Sequence, residues 1–118
     1  MEVSGRSCPF CLIAAGNADR RLAYEDEEIV AFEDINPQAP HHLLIVPRKH
    51  MQSLLEIEEE DAALVGRLVL VANRIARDRG IDLSGFRLVV NCNPDGGQTV
   101  YHLHLHLLGG RRMGWPPG

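Results

Sequence analysis

The chain has no broad positive field: 12 lysine and arginine residues face 16 aspartate and glutamate residues, and the formal net charge is -4. Wrapping DNA or RNA is therefore disfavoured, and an anionic ligand needs a local site made of histidine, arginine or backbone N–H groups. No apolar run approaches the length of a membrane span. The start, Met-Glu-Val-Ser-Gly-Arg-Ser-Cys, lacks an apolar h-region, so a secretory leader is not expected. Three cysteines, an odd number, do not make a disulfide framework, and a reducing cytoplasm is the expected setting. Internal repeats, low-complexity tracts and dividing linkers are absent too. What remains is a 118-residue chain, 45% hydrophobic and 24% charged, read as one domain over 1–118 with room for one core.

Local patterning gives the elements. Cys8 to Ala15 reads as a short helix, with Pro9 tolerated at its start and Gly16 placed to stop it. Leu22 to Tyr24 and Ile29 to Glu33 are strands around an acidic turn, and His42 to Val46 is a third strand ended by Pro47. From Glu58 to Arg79 the apolar stripe Leu64, Leu68, Val71 and Ile75, widened by Val65 and Ala72, predicts the one long helix. Acidic residues crowd its first turn, arginines its last, and Gly80 is a natural stop. Phe86 to Val90 and Val100 to Leu108 complete the strands, joined by a turn-rich segment from Asn91 to Gly97. One long helix, a short N-terminal helix and mostly hairpin-linked strands predict an α+β fold with an antiparallel sheet. Residues 109–118, rich in glycine and proline, read as an irregular tail. Its stiff, apolar Trp115-Pro116-Pro117 is expected to pack on something, a second subunit being one option.

Half of the six histidines stand at alternate positions in His102-Leu103-His104-Leu105-His106. On a strand these three imidazoles form a row on one face while the leucines enter the core. His102 and His106 then lie roughly 13 Å apart at about 3.3 Å per residue. One tetrahedral zinc with bonds near ~2 Å cannot bridge that distance, so the three have different jobs. A histidine-rich polar face with no chemistry is the alternative. Neutral imidazole attacks phosphorus well when its other nitrogen is pinned, and its neighbours can hold a phosphate or protonate a leaving group. The central residue, His104, is the natural nucleophile.

Elsewhere several residues admit two readings. Asp34, just past a strand end, can accept ribose hydroxyls or start a turn before Pro37. Gly96-Gly97 lets backbone N–H groups approach an oxyanion, or is simply a turn. Cys8-Pro9-Phe10-Cys11 has the spacing of half a zinc site; a redox pair or two inert thiols are the alternatives. Cys92 reads as a packing thiol.

The histidine run, Phe32-Glu33-Asp34-Ile35-Asn36-Pro37-Gln38-Ala39-Pro40 and Asp95-Gly96-Gly97-Gln98-Thr99-Val100-Tyr101 together resemble the histidine triad superfamily. The ending from Gly109 to Gly118 is similar to its nucleotide-binding Hint branch. The resemblance covers nearly the whole chain. It implies a homodimer whose sheet continues across two subunits, and hydrolysis of purine nucleoside phosphoramidates through a nucleotidylated histidine. On that resemblance His104 is the nucleophile, His106 contacts the α-phosphate, and His42 is the separate histidine of the preceding strand. His41 departs from a usual small polar residue, and alternation leaves only one of His41 and His42 on the active side. Asp34 and Ile35 match the ribose and base segment, and Asn91 a residue near phosphate and ribose. Gly97 joins them through its backbone, while Gln98 and Thr99 match phosphate- and leaving-group-side contacts. Trp115 matches a tryptophan that reaches towards the partner subunit's site. Gly114 replaces an often larger polar residue. Many bacterial-type members, and the related galactose-1-phosphate uridylyltransferases, hold structural zinc on such a cysteine pair plus two histidines; the matching residues are Cys8, Cys11, His50 and His102. A dinucleoside polyphosphate hydrolase or nucleotidyl transferase of the same superfamily is the nearby alternative. A non-catalytic nucleotide-binding interaction protein is the alternative from another class.

Overall fold

In the computed structural model, which describes residues 8–16 and 20–118, five strands run at Leu22–Glu25 (β1), Ile29–Glu33 (β2), His41–Pro47 (β3), Phe86–Val89 (β4) and Leu105–Gly109 (β5). They form one sheet in the order β1-β2-β3-β5-β4 with every neighbouring pair antiparallel. Helices occupy Pro9–Ala14 (α1), Ala62–Asp78 (α2) and Asn93–Gly96 (α3). Segment 1–7, on which the expectation about a leader rests, lies outside the described residues. Among the described residues no helix is long and apolar enough to cross a membrane.

The α+β expectation holds, and side-chain alternation explains how the sheet is covered. Ile29, Ala31, Leu43, Ile45, Leu105 and Leu107 face α2, where Leu68, Val71, Ala72 and Ile75 supply the helix stripe. The intervening Val30, Phe32, Leu44 and Val46 face the other way and pack with Phe10, Ile13 and Ala14 of α1. The central strands β2 and β3 are thus buried on both faces, which is why they read as near-continuous apolar runs. Full burial of each large apolar side chain stabilises by about 2 kcal/mol, so these two faces hold most of the fold.

Three departures from the sequence expectation exceed one residue at an element's end. The long helix starts at Ala62 rather than Glu58, because the acidic run forms a separate 3₁₀ turn at Glu59–Asp61. There the Asp61 carboxylate accepts from the Glu58 N–H at 3.0 Å and the Lys49 ammonium at 2.6 Å, fixing a capping turn in place of helix body. At the other end Gly80 has φ +72°, the Gly80 N–H donates to Arg77 O and the Ile81 N–H to Ala76 O, a Schellman stop. The turn before the histidines contains the short helix α3, ended by Gly97 at φ +87°. Lastly, β5 begins at Leu105, so His102 and His104 precede the strand. The backbone ahead of it is bonded elsewhere: Leu103 N–H donates to Met51 O, and Val100 O accepts from the Gln98 amide. Leucine alternation survives without the strand, since Leu103 still lies in the α2-side core.

Candidate active site

Antiparallel pairing of β3 with β5 sets Leu44 opposite His106, with His42 two residues along on the same face. Beside them lies a cavity of about 380 Å³ lined by apolar Phe10, Ile13, Phe32 and Leu44 and by His104, His106 and Asp34, among others. His41 falls on the opposite face of β3, and its Nδ1 is buried without a hydrogen-bond partner.

Hydrogen bonds to backbone groups fix the tautomers of the neutral rings. The His102 carbonyl can only accept, so His104 Nδ1 carries the proton it donates at 2.7 Å and Nε2 keeps a lone pair. The Gln38 N–H can only donate, so His42 Nδ1 accepts at 3.0 Å. His42 Nε2–H then donates to His106 Nδ1 at 2.9 Å, which leaves the His106 Nε2–H as that ring's donor beside the cavity. Asp34 Oδ2 stands 3.5 Å from His42 Nε2 and favours the proton there.

Burial keeps these rings neutral. It pushes His106 down to about 4, with help from the adjacent His104 and His42 rings. Burial also lowers His42 and His104; Asp34 opposes the shift at both, and the hydrogen bond to His102 O opposes it at His104.

The other residues singled out in the sequence fall in different places. Asp34, Ile35, Asn91, Gly97 and Thr99 all line the cavity. Asp34 makes the turn, Oδ1 accepting from the Asn36 N–H at 2.8 Å, while Oδ2 lies towards His42. Gln98 is corrected: its side chain is buried and holds the loop, accepting from Asn93 N–H at 2.9 Å and donating to Gln52 O and Val100 O. Its own N–H donates to Asn93 O, and the Gly97 N–H to Pro94 O. Of the donors expected at Gly97 to Thr99, the Thr99 N–H and hydroxyl are therefore those free of intramolecular bonds among the described residues. Gln98→Ala is expected to cost about 2 kcal/mol in urea unfolding, because buried backbone groups lose partners, with nucleotide binding affected only through the loop. Trp115 is 85% exposed and does not line the cavity of its own chain. Sequence reasoning missed the apolar wall, Phe10 above all, whose only signal is its place between two candidate ligands.

A second cluster lies behind the histidines. Cys8 Sγ, Cys11 Sγ, His50 Nδ1 and His102 Nδ1 converge, all within 4.8 Å of one another and several pairs at 3.1–3.3 Å. Two thiol and two imidazole donors at such separations fit the corners of a tetrahedral zinc site, with bonds of about 2.0 to 2.3 Å. The His102 Nε2–H donates to Pro47 O at 2.7 Å, which turns the Nδ1 lone pair towards the cysteines. Burial and the Cys8 thiol push Cys11 up to about 12, so only a bound cation would draw out the thiolate. The set is closed by four protein donors, which suits a structural metal.

Comparison with known proteins agrees with this geometry. The HIT domain family model matches residues 15–113. An uncharacterized HIT-like protein of Synechococcus elongatus is 50% identical over 97 residues, which is 82% of this chain and 84% of that protein. A 14 kDa zinc-binding protein of Zea mays is 48% identical over 99 residues, 82% of this chain and 77% of that one. The crystal structure of a HIT family hydrolase from Legionella pneumophila Philadelphia 1 superposes with a TM-score of 0.92 at 49% identity, covering 94% of this chain and 99% of the other. By sequence over most of its length and by fold, the chain belongs to the HIT domain family.

Proposed function

We propose that the chain is a nucleoside phosphoramidate hydrolase, of purine type, that works through a covalent nucleotidyl-His104 intermediate. The observation that carries this reading is the bond from His104 Nδ1–H to His102 O, which leaves a neutral Nε2 as nucleophile beside a donor, the His106 Nε2–H. In the first step the Nε2 lone pair forms a bond to the α-phosphorus as the P–N bond breaks, and the amine leaves with a proton taken from solvent. In the second, water attacks phosphorus, the His104–phosphorus bond breaks, and the mononucleotide is released with a proton to solvent. The His106 Nε2–H and the Thr99 donors stabilise the non-bridging oxygens. Phe10, Phe32 and Leu44 offer an apolar wall for the base, and Asp34 Oδ2 an acceptor for the ribose. His42 acts one bond back, keeping the proton of His106 on Nε2.

Zinc, when bound on Cys8, Cys11, His50 and His102, supplies a closed anchor and no water-activating position. Homodimerisation through the sheet is supported by the outer position of β4 and by the exposure of Trp115. The test is a substrate panel. Adenosine and guanosine 5′-phosphoramidates are expected to turn over, to label His104 with the nucleotide in a rapid quench, and to outrun dinucleoside polyphosphates. A preference for the polyphosphates moves the chain to the alternative branch, and tight binding without turnover makes it a nucleotide-binding module.

The lowered histidines predict the pH profile. Neutral rings are the working forms, so depressing their pKa moves the acid limb down. kcat/KM is expected to hold as pH falls through the ordinary histidine value of 6.5 and to decline only below it, because His42, His104 and His106 are all lowered, His106 to about 4. A midpoint at 6.5 or above contradicts the buried-neutral assignment.

A further inference from the structure

The cysteine pair and the nucleophile belong to one mechanical unit. Phe10 lies inside Cys8-Pro9-Phe10-Cys11, where Cys8 caps α1 by accepting the Cys11 N–H at 3.2 Å. Its ring is perpendicular to that of His104, 90° between planes with centroids 5.0 Å apart, and 5.4 Å from the ring of Phe32. The His106 ring packs on His104 at 4.9 Å and 62°. The bond to His102 O fixes which nitrogen of His104 is protonated, but a single hydrogen bond leaves the ring free to tip about it. The flanking rings of Phe10 and His106 remove that freedom.

Helix α1 has six residues, too few to be stable by itself. What fixes it are its buried face, a bond from Arg48 to Ala14 O, and the cluster that Cys8 and Cys11 form with His50 and His102. His102 is shared: its Nδ1 joins the cluster while its carbonyl receives the His104 proton.

We propose that Phe10 is a positioning residue for His104, and that a metal on Cys8, Cys11, His50 and His102 sets the orientation of the nucleophile through Phe10 on one side and the His102 carbonyl on the other. The cluster is then a control on the reactive ring as well as a fold anchor. Tipping the ring by an ångström at the point of attack is worth about 100-fold in rate.

The test compares zinc-loaded wild-type protein, chelator-treated protein and Phe10→Leu, which keeps apolar volume but removes the ring. The first readout needs no substrate, so it stands even if the proposed phosphoramidase reading, on which the rate arm rests, fails. Ring ¹⁵N correlation spectra of His104 are expected to show the Nδ1–H tautomer, with sharp ring signals in loaded wild type and exchange-broadened ones in the other two, where the ring can tip. Carbethoxylation of His104 by diethylpyrocarbonate is expected to differ in the same order, at least about 5-fold from wild type. Single-turnover nucleotidylation at saturating substrate, where weaker binding does not enter, is expected to fall about 10- to 100-fold in Phe10→Leu while its zinc content and melting temperature stay near wild type. Unchanged His104 spectra and modification rate in Phe10→Leu overturn the positioning role. Unchanged spectra after zinc removal, or a protein that takes up no zinc, overturn the metal's part.

Discussion

His104→Ala is expected to lower nucleoside phosphoramidate turnover by about four orders of magnitude and to abolish nucleotide labelling of the protein. The size follows from the role. A covalent route divides a hard displacement into two easier ones, and without Nε2 no other ring stands in its place. His106 Nδ1 is occupied by His42 and its Nε2 carries a proton; His42 has both nitrogens bonded. His102 turns its Nδ1 away into the cysteine cluster. Nucleotide binding should survive in His104→Ala, because the apolar wall and Asp34 remain. Titration with a non-hydrolysable nucleoside monophosphate analogue checks this, and loss of affinity together with turnover would indicate a folding defect. Near wild-type turnover in a folded His104→Ala protein would sink the mechanism.

The second large effect concerns stability. Replacing Cys8 and Cys11 together by serine is expected to eliminate bound zinc and to lower the melting temperature by roughly 15 °C. A ligand at about 1,000 times its Kd stabilises a fold by about 4 kcal/mol, and near this chain length about 1 kcal/mol moves the midpoint by about 4 °C. Chelation of wild-type protein should reproduce the drop, and added zinc should restore it in wild type alone. If the double variant melts with wild type and neither contains zinc, the four donors are a packing cluster and the anchor is apolar contact alone.

Much of this was legible in the sequence because the physics is local. The strand Ile29–Glu33 follows from its short apolar run, the α2 stripe from helical periodicity, and Gly80 from the need for a left-handed residue at a helix end. The closeness of Cys8, Cys11, His50 and His102 and the choice of His42 were expected from resemblance, with alternation adding that only one of His41 and His42 faces the site. The failures share a cause. His-Leu alternation gives the same period whether a backbone is paired to a strand or to Met51 O, so the start of β5 was set too early. Gln98 was expected near the phosphate from resemblance, and its buried bonds to Asn93, Gln52 and Val100 are not visible in a sequence. The acidic run before α2 suits a first helical turn, yet the capping bonds of Asp61 depend on Lys49, 12 residues upstream. Phe10 is an ordinary aromatic until the fold sets it against residues 94 positions away, beyond the reach of any local pattern.

Covering both faces of β2 and β3 has a consequence for how the cavity exchanges with solvent. β3 lies between β2 and β5, so its amides are paired on either side and its side chains are sealed above and below. Its protons should exchange with deuterium only on global opening, slower than those of β1 at the sheet edge. The wall that carries His42 should therefore open late. Entry and departure at the cavity fall instead to the exposed rim around Ile35 and the loop from Asn93 to Thr99, and deuterium uptake should be faster there than in β3.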